Sequence, residues 1–230
     1  MSKFAYALAT ALALASSAFA STITFTGSGA LSGGAVSASA VFVTGPGTIT
    51  VTLNNLLSDP KDVAQNLSDL FFTLSSGETT GALTSSSGTE LTVNSDGTYS
   101  VGASVSTGWA LSSSAGSLLL NVLGTPVGPS HTIIGPSSNG TYSGGTYSNA
   151  NGSIAGNGPH NPFLESGATF NISIPTVTAT TTVTGATFSF GTTAGINLAG
   201  TPAPEPVPIL LSGLGVLAIG LLRLRRRAKA

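Results

Sequence analysis

The amino-acid sequence predicts an all-β domain with an antiparallel β-sandwich or jelly-roll-like architecture. Three observations lead to this prediction: apolar and polar residues alternate with a period of two, turn motifs separate the alternating runs, and long helix-favouring side chains are rare. Gln65 is the only glutamine and Met1 the only methionine, whereas Ser, Thr, Asn and Gly are abundant. The two ends of the chain depart from this pattern.

Charge is unusually scarce. Of the 230 residues, 41% are hydrophobic and only 7% are charged, compared with about 25% charged residues in average soluble domains. The apolar fraction is sufficient for a packed core, and the middle of the chain is long enough to form one domain without disulfides. There is no Cys, which excludes thiolate catalysis, Cys-ligated zinc and iron–sulfur clusters.

The few charges are distributed unevenly. Five of the seven basic residues lie in the last eight positions, and between Ser21 and Pro206 a single Lys stands against eight acids. A domain with one Lys and no Arg cannot neutralise a phosphate backbone. We therefore expect no nucleic-acid partner.

Strand patterns cover most of the middle segment, which we assign as one ectodomain over residues 21–200. Alternation is clear over 48–53, 98–105 and 169–174, and it continues over 177–183 and 188–190. Further strands are expected at 22–26, 35–43, 67–74, 118–123 and 131–134. Gly45-Pro46-Gly47 and Ser95-Asp96-Gly97 mark turns, the second of which is typical of a hairpin. One helical turn is expected over 60–66, with Asp59 as its cap.

A long loop is expected over residues 135–167, where Gly, Ser, Asn and Pro make up 22 of the 33 residues. Loops of this length are usually functional or disordered. The Gly and Pro residues around His160 restrict the backbone. We therefore expect an ordered loop that packs on the sandwich, anchored by Phe163 and Leu164.

The N-terminus has the features of a secretory signal peptide over residues 1–20. Lys3 is followed by an apolar stretch, and Ala18 and Ala20 place small residues where signal peptidase requires them. The predicted cleavage lies between Ala20 and Ser21. The alternative is an uncleaved helical anchor, which the short apolar stretch disfavours.

The C-terminus consists of three successive parts. A Pro-rich linker over 201–206 ends in Pro204-Glu205-Pro206, an uncharged segment spans 207–222, and the tail 223–230 carries the basic cluster Arg223, Arg225, Arg226, Arg227 and Lys229. A 16-residue helix is roughly 24 Å long, short but workable for a hydrocarbon core of about 30 Å. The basic cluster predicts a cytoplasmic tail and an external ectodomain.

This arrangement resembles the PEP-CTERM sorting signal of Gram-negative bacteria. A plain stop-transfer anchor explains the span and the arginines but not the Pro-Glu-Pro motif before them, and the Leu-Pro-x-Thr-Gly motif of Gram-positive wall sorting is absent. The resemblance covers about 27 residues and implies that an exosortase recognises Pro204, Glu205 and Pro206 and processes the chain. It also implies a surface or matrix location, commonly with exopolysaccharide and biofilm. The middle of the chain is similar to uncharacterised PEP-CTERM ectodomains, which implies no activity.

Candidates for catalysis or metal binding are few. His131 is expected to be an exposed residue at the start of a strand, and His160 to be a loop residue that hydrogen-bonds the backbone or, alternatively, meets Glu165 or Asp96 at a metal or hydrolytic site. The acids at 59, 62 and 69 are too sparse for a usual calcium loop. No carboxylate pair indicates a glycosidase. We assign no catalytic residue, metal or cofactor.

Three aromatic residues are considered as ligand contacts together with His160. Trp109 is the sole Trp, and Tyr142 and Tyr147 lie in the long loop. Exposed on one face, they would stack on sugar rings, whereas the alternative places Trp109 in the core.

The leading hypothesis is an exported, non-enzymatic surface or matrix protein with structural or binding roles. Its expected partners are signal peptidase, the inner membrane, an exosortase and an exopolysaccharide. The alternatives are a carbohydrate-binding module and, less favoured, a secreted hydrolase.

Overall fold

The computed structural model describes residues 20–193 and 195–203, and this part of the chain confirms the all-β prediction. It contains thirteen β-strands and one turn of 3-10 helix over Val63–Gln65. The signal-peptide segment up to residue 19 and the whole region from Pro204 onward lie outside the described residues. The strands are β1 (Ser21–Leu31), β2 (Gly34–Gly45), β3 (Thr48–Asn55), β4 (Leu67–Leu74), β5 (Ala82–Val93), β6 (Tyr99–Val105), β7 (Ala110–Ser114), β8 (Ser117–Asn121), β9 (Ile133–Ile134), β10 (Phe163–Ser173), β11 (Val183–Phe190), β12 (Asn197–Ala199) and β13 (Thr201–Pro202).

The strands form one mixed sheet in the order β12-β11-β4-β9-β10-β3-β2-β1-β13. Strand β5 joins the sheet at β10 and carries β6, whereas β8 joins at β4 and carries β7. The expectation of a purely antiparallel sheet needs one correction, because β9 pairs with β10 in parallel through Ile133↔Leu164 and Ile134↔Glu165. The long loop over 135–162 makes this parallel return feasible.

A single stretch of chain joins the two ends of this strand order. Strand β12 pairs with β11 and strand β13 pairs with β1, and only Gly200 separates β12 from β13. The Gly200 N–H donates to the Ala186 carbonyl at 2.9 Å, and the Ala203 N–H donates to the Thr24 carbonyl at 2.8 Å. The predicted linker over 201–206 therefore begins inside the sheet, and the folded domain extends to Ala203.

The inner face of the sheet follows from the period-two pattern. On β3, Ile49, Val51 and Leu53 are fully buried, and the threonines between them face outward. Phe42 of β2 and Phe72 of β4 lie 5.2 Å apart, measured between ring centroids, although three strands separate β2 from β4 in the sheet order. The sheet thus folds back on itself around its core. Burial of each large side chain contributes about 1.5–3 kcal/mol.

The long loop is ordered and packs on the domain through a second, smaller core, as predicted, but it ends at residue 162, because the predicted loop residues 163–167 belong to β10. Phe163 and Leu164 are fully buried, as expected of its anchor. Leu164 belongs to the main core, and Phe163 belongs to the second. The second core comprises Val63, Leu91, Val93, Ile134, Tyr147, Ile154 and Phe163.

The predicted helical turn is present, but its cap is Asp62 and not Asp59. The Asp62 carboxylate accepts from the Ala64 N–H at 2.9 Å, and the Gln65 side chain accepts from the Asp62 N–H at 3.1 Å, which completes a capping box. Asp59 instead accepts from the Ser148 hydroxyl at 2.7 Å. It therefore holds the long loop against the domain.

The prediction of a strand over 177–183 is wrong for residues 177–182, because β11 begins only at Val183. In this segment, threonine hydroxyls compete with neighbouring strands for hydrogen bonds to backbone N–H groups. The Thr178 N–H donates to the Thr181 hydroxyl at 3.1 Å, and the Thr180 N–H donates to the Thr178 hydroxyl at 3.3 Å. Such local bonds favour turns over a sheet ladder.

Candidate functional site

The residues of the predicted sorting signal lie outside the part of the chain that the structure describes. They are Pro204, Glu205 and Pro206, the apolar segment 207–222, and Arg223, Arg225, Arg226, Arg227 and Lys229. At the predicted signal-peptidase site Ala18 is also outside, whereas Ala20 is exposed and Ser21 begins β1. Within residues 20–193 and 195–203, none of the helical structure is long and apolar enough to cross a membrane.

Trp109 lies in the main core, with 4% of its surface exposed. Its ring centroid is 5.2 Å from that of Phe170, and its Nε1–H donates to the His131 carbonyl at 2.9 Å. The ring faces are therefore occupied by protein. The prediction that Trp109 stacks on sugar rings is therefore wrong, and the alternative prediction, that it lies in the core, is confirmed.

The two loop tyrosines also point into the protein. Tyr147 is 1% exposed and donates its hydroxyl to the Gly135 carbonyl at 2.9 Å, and the partly buried Tyr142 donates to the Ile134 carbonyl at 3.1 Å. Burial raises the pKa of both hydroxyls, and the nearby charge of Glu165 adds to the effect. These rings serve the second core, so the expectation that they form an exposed stacking face is wrong.

His160 hydrogen-bonds the backbone, which was the simpler of its two interpretations. Its Nδ1 lies 2.6 Å from the Ser153 carbonyl oxygen. Within the described residues the only ion pair closer than 4.0 Å joins His131 and Glu90, so neither Glu165 nor Asp96 meets His160 as the metal or hydrolase alternative requires. The same residues contain no group of three or more His, Asp or Glu side chains arranged to hold a metal ion.

The pair of His131 and Glu90 is a feature that sequence reasoning missed. His131 is 8% exposed and not an exposed strand-end residue as expected. Its Nε2 lies 3.2 Å from Glu90 Oε1, and its Nδ1 lies 2.8 Å from the Thr107 carbonyl oxygen. Both ring nitrogens are therefore engaged within the protein, which makes this pair a brace between strand β5 and the segment that precedes β9. No local motif could have revealed it, because the two residues are 41 positions apart.

Asp69 is a buried acid in the middle of β4. It is 6% exposed, and its Oδ1 has no hydrogen-bond partner among the described residues. Burial raises its pKa to about 6, although a hydrogen bond with the Ser68 side chain opposes the rise. Across the sheet it pairs with Asn121 of β8 and Ser189 of β11. Asp69 thus links the stability of the sheet to pH.

A polar groove of about 310 Å³ crosses the outer face of the sheet over β3, β10, β5 and β6. We call it the Glu165 groove. Its lining contains one carboxylate and no cation, and hydroxyl and amide groups supply most of its polar atoms. It lies where β10 shifts register between Leu164 and Ala168. Its polar side chains include those of Thr52, Asn54, Ser87, Glu165 and Thr169.

No protein-family model matches the chain, and comparison with curated proteins and with solved structures also yields no match.

Proposed function

We propose that this protein is exported, sorted through a C-terminal PEP-CTERM signal by an exosortase, and displayed at the cell surface or in the extracellular matrix of a Gram-negative bacterium. The observation that carries the proposal is the order of three parts at the C-terminus: Pro204-Glu205-Pro206, the uncharged segment 207–222, and a tail with four Arg and one Lys. The prolines keep the motif extended and accessible to a protease.

The domain organisation agrees with this proposal. Ser21, the first residue expected after removal of the signal peptide, begins β1, and β13 ends at Pro202, two residues before the Pro-Glu-Pro motif. The segment between the two proposed processing sites is therefore a complete folded unit. We also propose that its folded-back sheet is a β-sandwich of the jelly-roll type.

The proposed role at the surface is structural or binding, without catalysis. The outer face of the sheet is rich in Ser, Thr and Asn, and the two histidines bond within the protein. A Ser/Thr-rich surface of low charge suits hydrogen bonding to a hydrated matrix. Signal peptidase, the inner membrane and the exosortase are the proposed partners during export.

Intact-mass measurement tests the sorting proposal. The full chain is expressed in Gram-negative cells that contain an exosortase and in matched cells that lack the enzyme. We expect a product in the first cells that starts at Ser21 and lacks the Arg223–Ala230 tail, and a product in the second cells that retains the tail. With Pro204-Glu205-Pro206 replaced by three alanines, the product should retain the tail in both cell types, whereas the ectodomain variant Glu78→Gln should lose it in the first cells, after correction for the mass change of each substitution.

A plain membrane anchor gives a different result. It leaves the tail on the protein in both cell types, and the alanine replacement has no effect. That outcome would contradict processing by an exosortase.

A further inference from the structure

Three of the strands under the Glu165 groove, β3, β10 and β5, are paired on both sides, and β6 is paired with β5 alone. Thr169 of β10 lies opposite Thr52 of β3 on one side and Ser87 of β5 on the other. The backbone groups at this central position are therefore used within the sheet, and an extended peptide cannot add there as another strand. Side chains with hydroxyl, amide or carboxyl groups make up most of the groove lining, together with Gly88, Gly167 and Ala168.

A local distortion of β10 shapes one end of this groove. Ser166 has a φ of 56°, a left-handed conformation that is uncommon for a residue with a side chain. The next residue is Gly167, where a Cβ atom would lie 2.4 Å from Asn54 Oδ1 and 2.5 Å from the Leu53 carbonyl oxygen. Gly167 lies opposite Asn54, and Glu165 and Asn54 both line the groove. Strained conformations of this kind cluster at functional sites.

Glu165 is a partly buried carboxylate, and none of the hydrogen bonds or ion pairs among the described residues involves its side chain. Burial raises its pKa. Because its side chain has no partner within the protein, Glu165 retains acceptor capacity for a ligand. Lys61 is the only cationic side chain between residues 20 and 203, and it does not line the groove.

We propose that the Glu165 groove binds a neutral oligosaccharide chain. Sugar hydroxyls both donate and accept, which matches the hydroxyls of Thr52, Ser87 and Thr169, and Glu165 accepts from two hydroxyls of one sugar. The four strands cover three spacings of about 4.8 Å, or roughly 14 Å across the groove. This width accommodates a short oligosaccharide that crosses the strands.

The charge of the groove determines the class of sugar. With a carboxylate and no cation, it repels uronate or sulfated polymers, whose anionic groups would find no partner. None of its lining residues is aromatic, so ring stacking contributes nothing and the affinity for a single chain is weak, in the millimolar range. Repeated binding along a long polymer would raise the avidity of a matrix-bound protein.

Saturation-transfer NMR with the full 230-residue chain in detergent micelles tests this inference. The probes are neutral glucose and mannose hexaoses, a uronate hexamer and a glucosamine hexamer, each measured with EDTA present. We expect saturation transfer to a neutral hexaose. Glu165→Gln and Thr52→Val should each weaken binding at least fivefold, because the first replaces an acceptor oxygen with an amide donor and the second removes a hydroxyl, both with little change of shape.

Two variants serve as matched controls, with thermal unfolding to verify that every variant is folded. Thr48→Val changes an outward threonine on the same strand beyond the groove, and Glu78→Gln removes a carboxylate elsewhere; both should bind as the unmodified chain does. The inference is overturned if the folded chain binds none of the neutral hexaoses or binds a charged hexamer more tightly. It is also overturned if binding survives Glu165→Gln, or if binding disappears with EDTA and returns with Ca²⁺.

The inference rests on the proposed function, because export to the cell surface or matrix would bring the domain into contact with such a glycan. Glycan binding and C-terminal processing can nevertheless be tested separately. Loss of glycan binding in Glu165→Gln should leave C-terminal processing unchanged. A chain that is processed normally and binds no glycan contradicts only the groove assignment. A chain that binds the neutral hexaose but keeps its tail in exosortase-containing cells contradicts only the sorting proposal.

Discussion

The imidazole Nε2 of His131 lies 3.2 Å from Oε1 of Glu90 and joins two parts of the chain that are 41 positions apart. On the other side of the ring, Nδ1 faces the Thr107 carbonyl at 2.8 Å, and because a carbonyl only accepts, Nδ1 carries a proton. The His131 carbonyl in turn accepts from the Trp109 indole. Three hydrogen bonds around one residue thus fix the loops at this end of the core.

His131→Ala should lower the free energy of unfolding by about 2–4 kcal/mol. The substitution leaves the buried Thr107 carbonyl without a partner and opens a cavity near Trp109. The alanine also has to adopt the φ of 58° that His131 has. Urea unfolding at pH 7 measures the change.

His160→Ala is the matched control for this prediction. His160 is less buried and has one backbone hydrogen bond, so we expect a loss of about 1 kcal/mol or less. Equal losses for the two histidines would contradict the role of His131 as a brace.

The buried Asp69 should make the domain less stable as the pH rises. Its pKa is about 6 in the folded protein against 3.8 for the unperturbed group, so between these values the native state binds more protons than the unfolded state. The contribution of Asp69 to stability is fully present below about pH 3.8 and is lost as the pH rises through 6. Asp69→Asn should therefore stabilise the domain at pH 7 by about 1–3 kcal/mol.

Urea midpoints measured from pH 4 to pH 8 test this expectation. The unmodified chain should lose stability across this range, and Asp69→Asn should remove most of that slope. Asp96→Asn provides the contrast, because hydrogen bonds from Thr98 lower the pKa of this exposed acid and its removal should not stabilise the domain. If the urea midpoint of the Asp69→Asn variant fell with pH as steeply as that of the unmodified chain, Asp69 would not be the source of the pH dependence.

Gly135 should tolerate no side chain. A Cβ atom there would lie 1.9 Å from the Leu57 carbonyl oxygen, and backbone cannot shift cheaply. Gly135→Ala should cost about 3 kcal/mol or more and release Tyr147, whose hydroxyl bonds to the Gly135 carbonyl. Near-UV circular dichroism and urea unfolding report both effects.

Gly152→Ala lies in the same loop and has no atom within 4 Å of the added Cβ. It should change stability by less than about 0.5 kcal/mol. A comparable loss at both glycines would show that the loop is sensitive to alanine in general and not to the close contact at Gly135.

The segment that joins the ends of the sheet should be required for solubility. A chain that ends after Gly195 loses β12 and β13 and exposes the edges of β11 and β1, which favours aggregation through unpaired strands. A chain that ends after Ala203 keeps both strands. We expect the first to aggregate and the second to remain monomeric in size-exclusion chromatography with light scattering. Similar behaviour of both chains would contradict the closing role of residues 197–203.

The alternation of apolar and polar residues predicted the strands well where no side chain competes with the sheet for backbone hydrogen bonds. The inward residues of β3 and the Ser95-Asp96-Gly97 hairpin between β5 and β6 are as expected. The pattern failed over 177–182, where threonine side chains bond to nearby backbone groups. It also missed the Glu165 groove, since that depends on a register shift in β10 that one strand's sequence does not reveal.

The sequence by itself determined the all-β class, the low charge of the domain and the linear motifs at both ends, because each depends on composition or on residues close together in the chain. Only the tertiary structure decided that Trp109 and Tyr147 are buried, that His131 meets Glu90, and that residues 197–203 close the sheet. Those outcomes depend on strand register and on which faces pack together. Contacts between residues tens of positions apart emerge only when the whole core is formed.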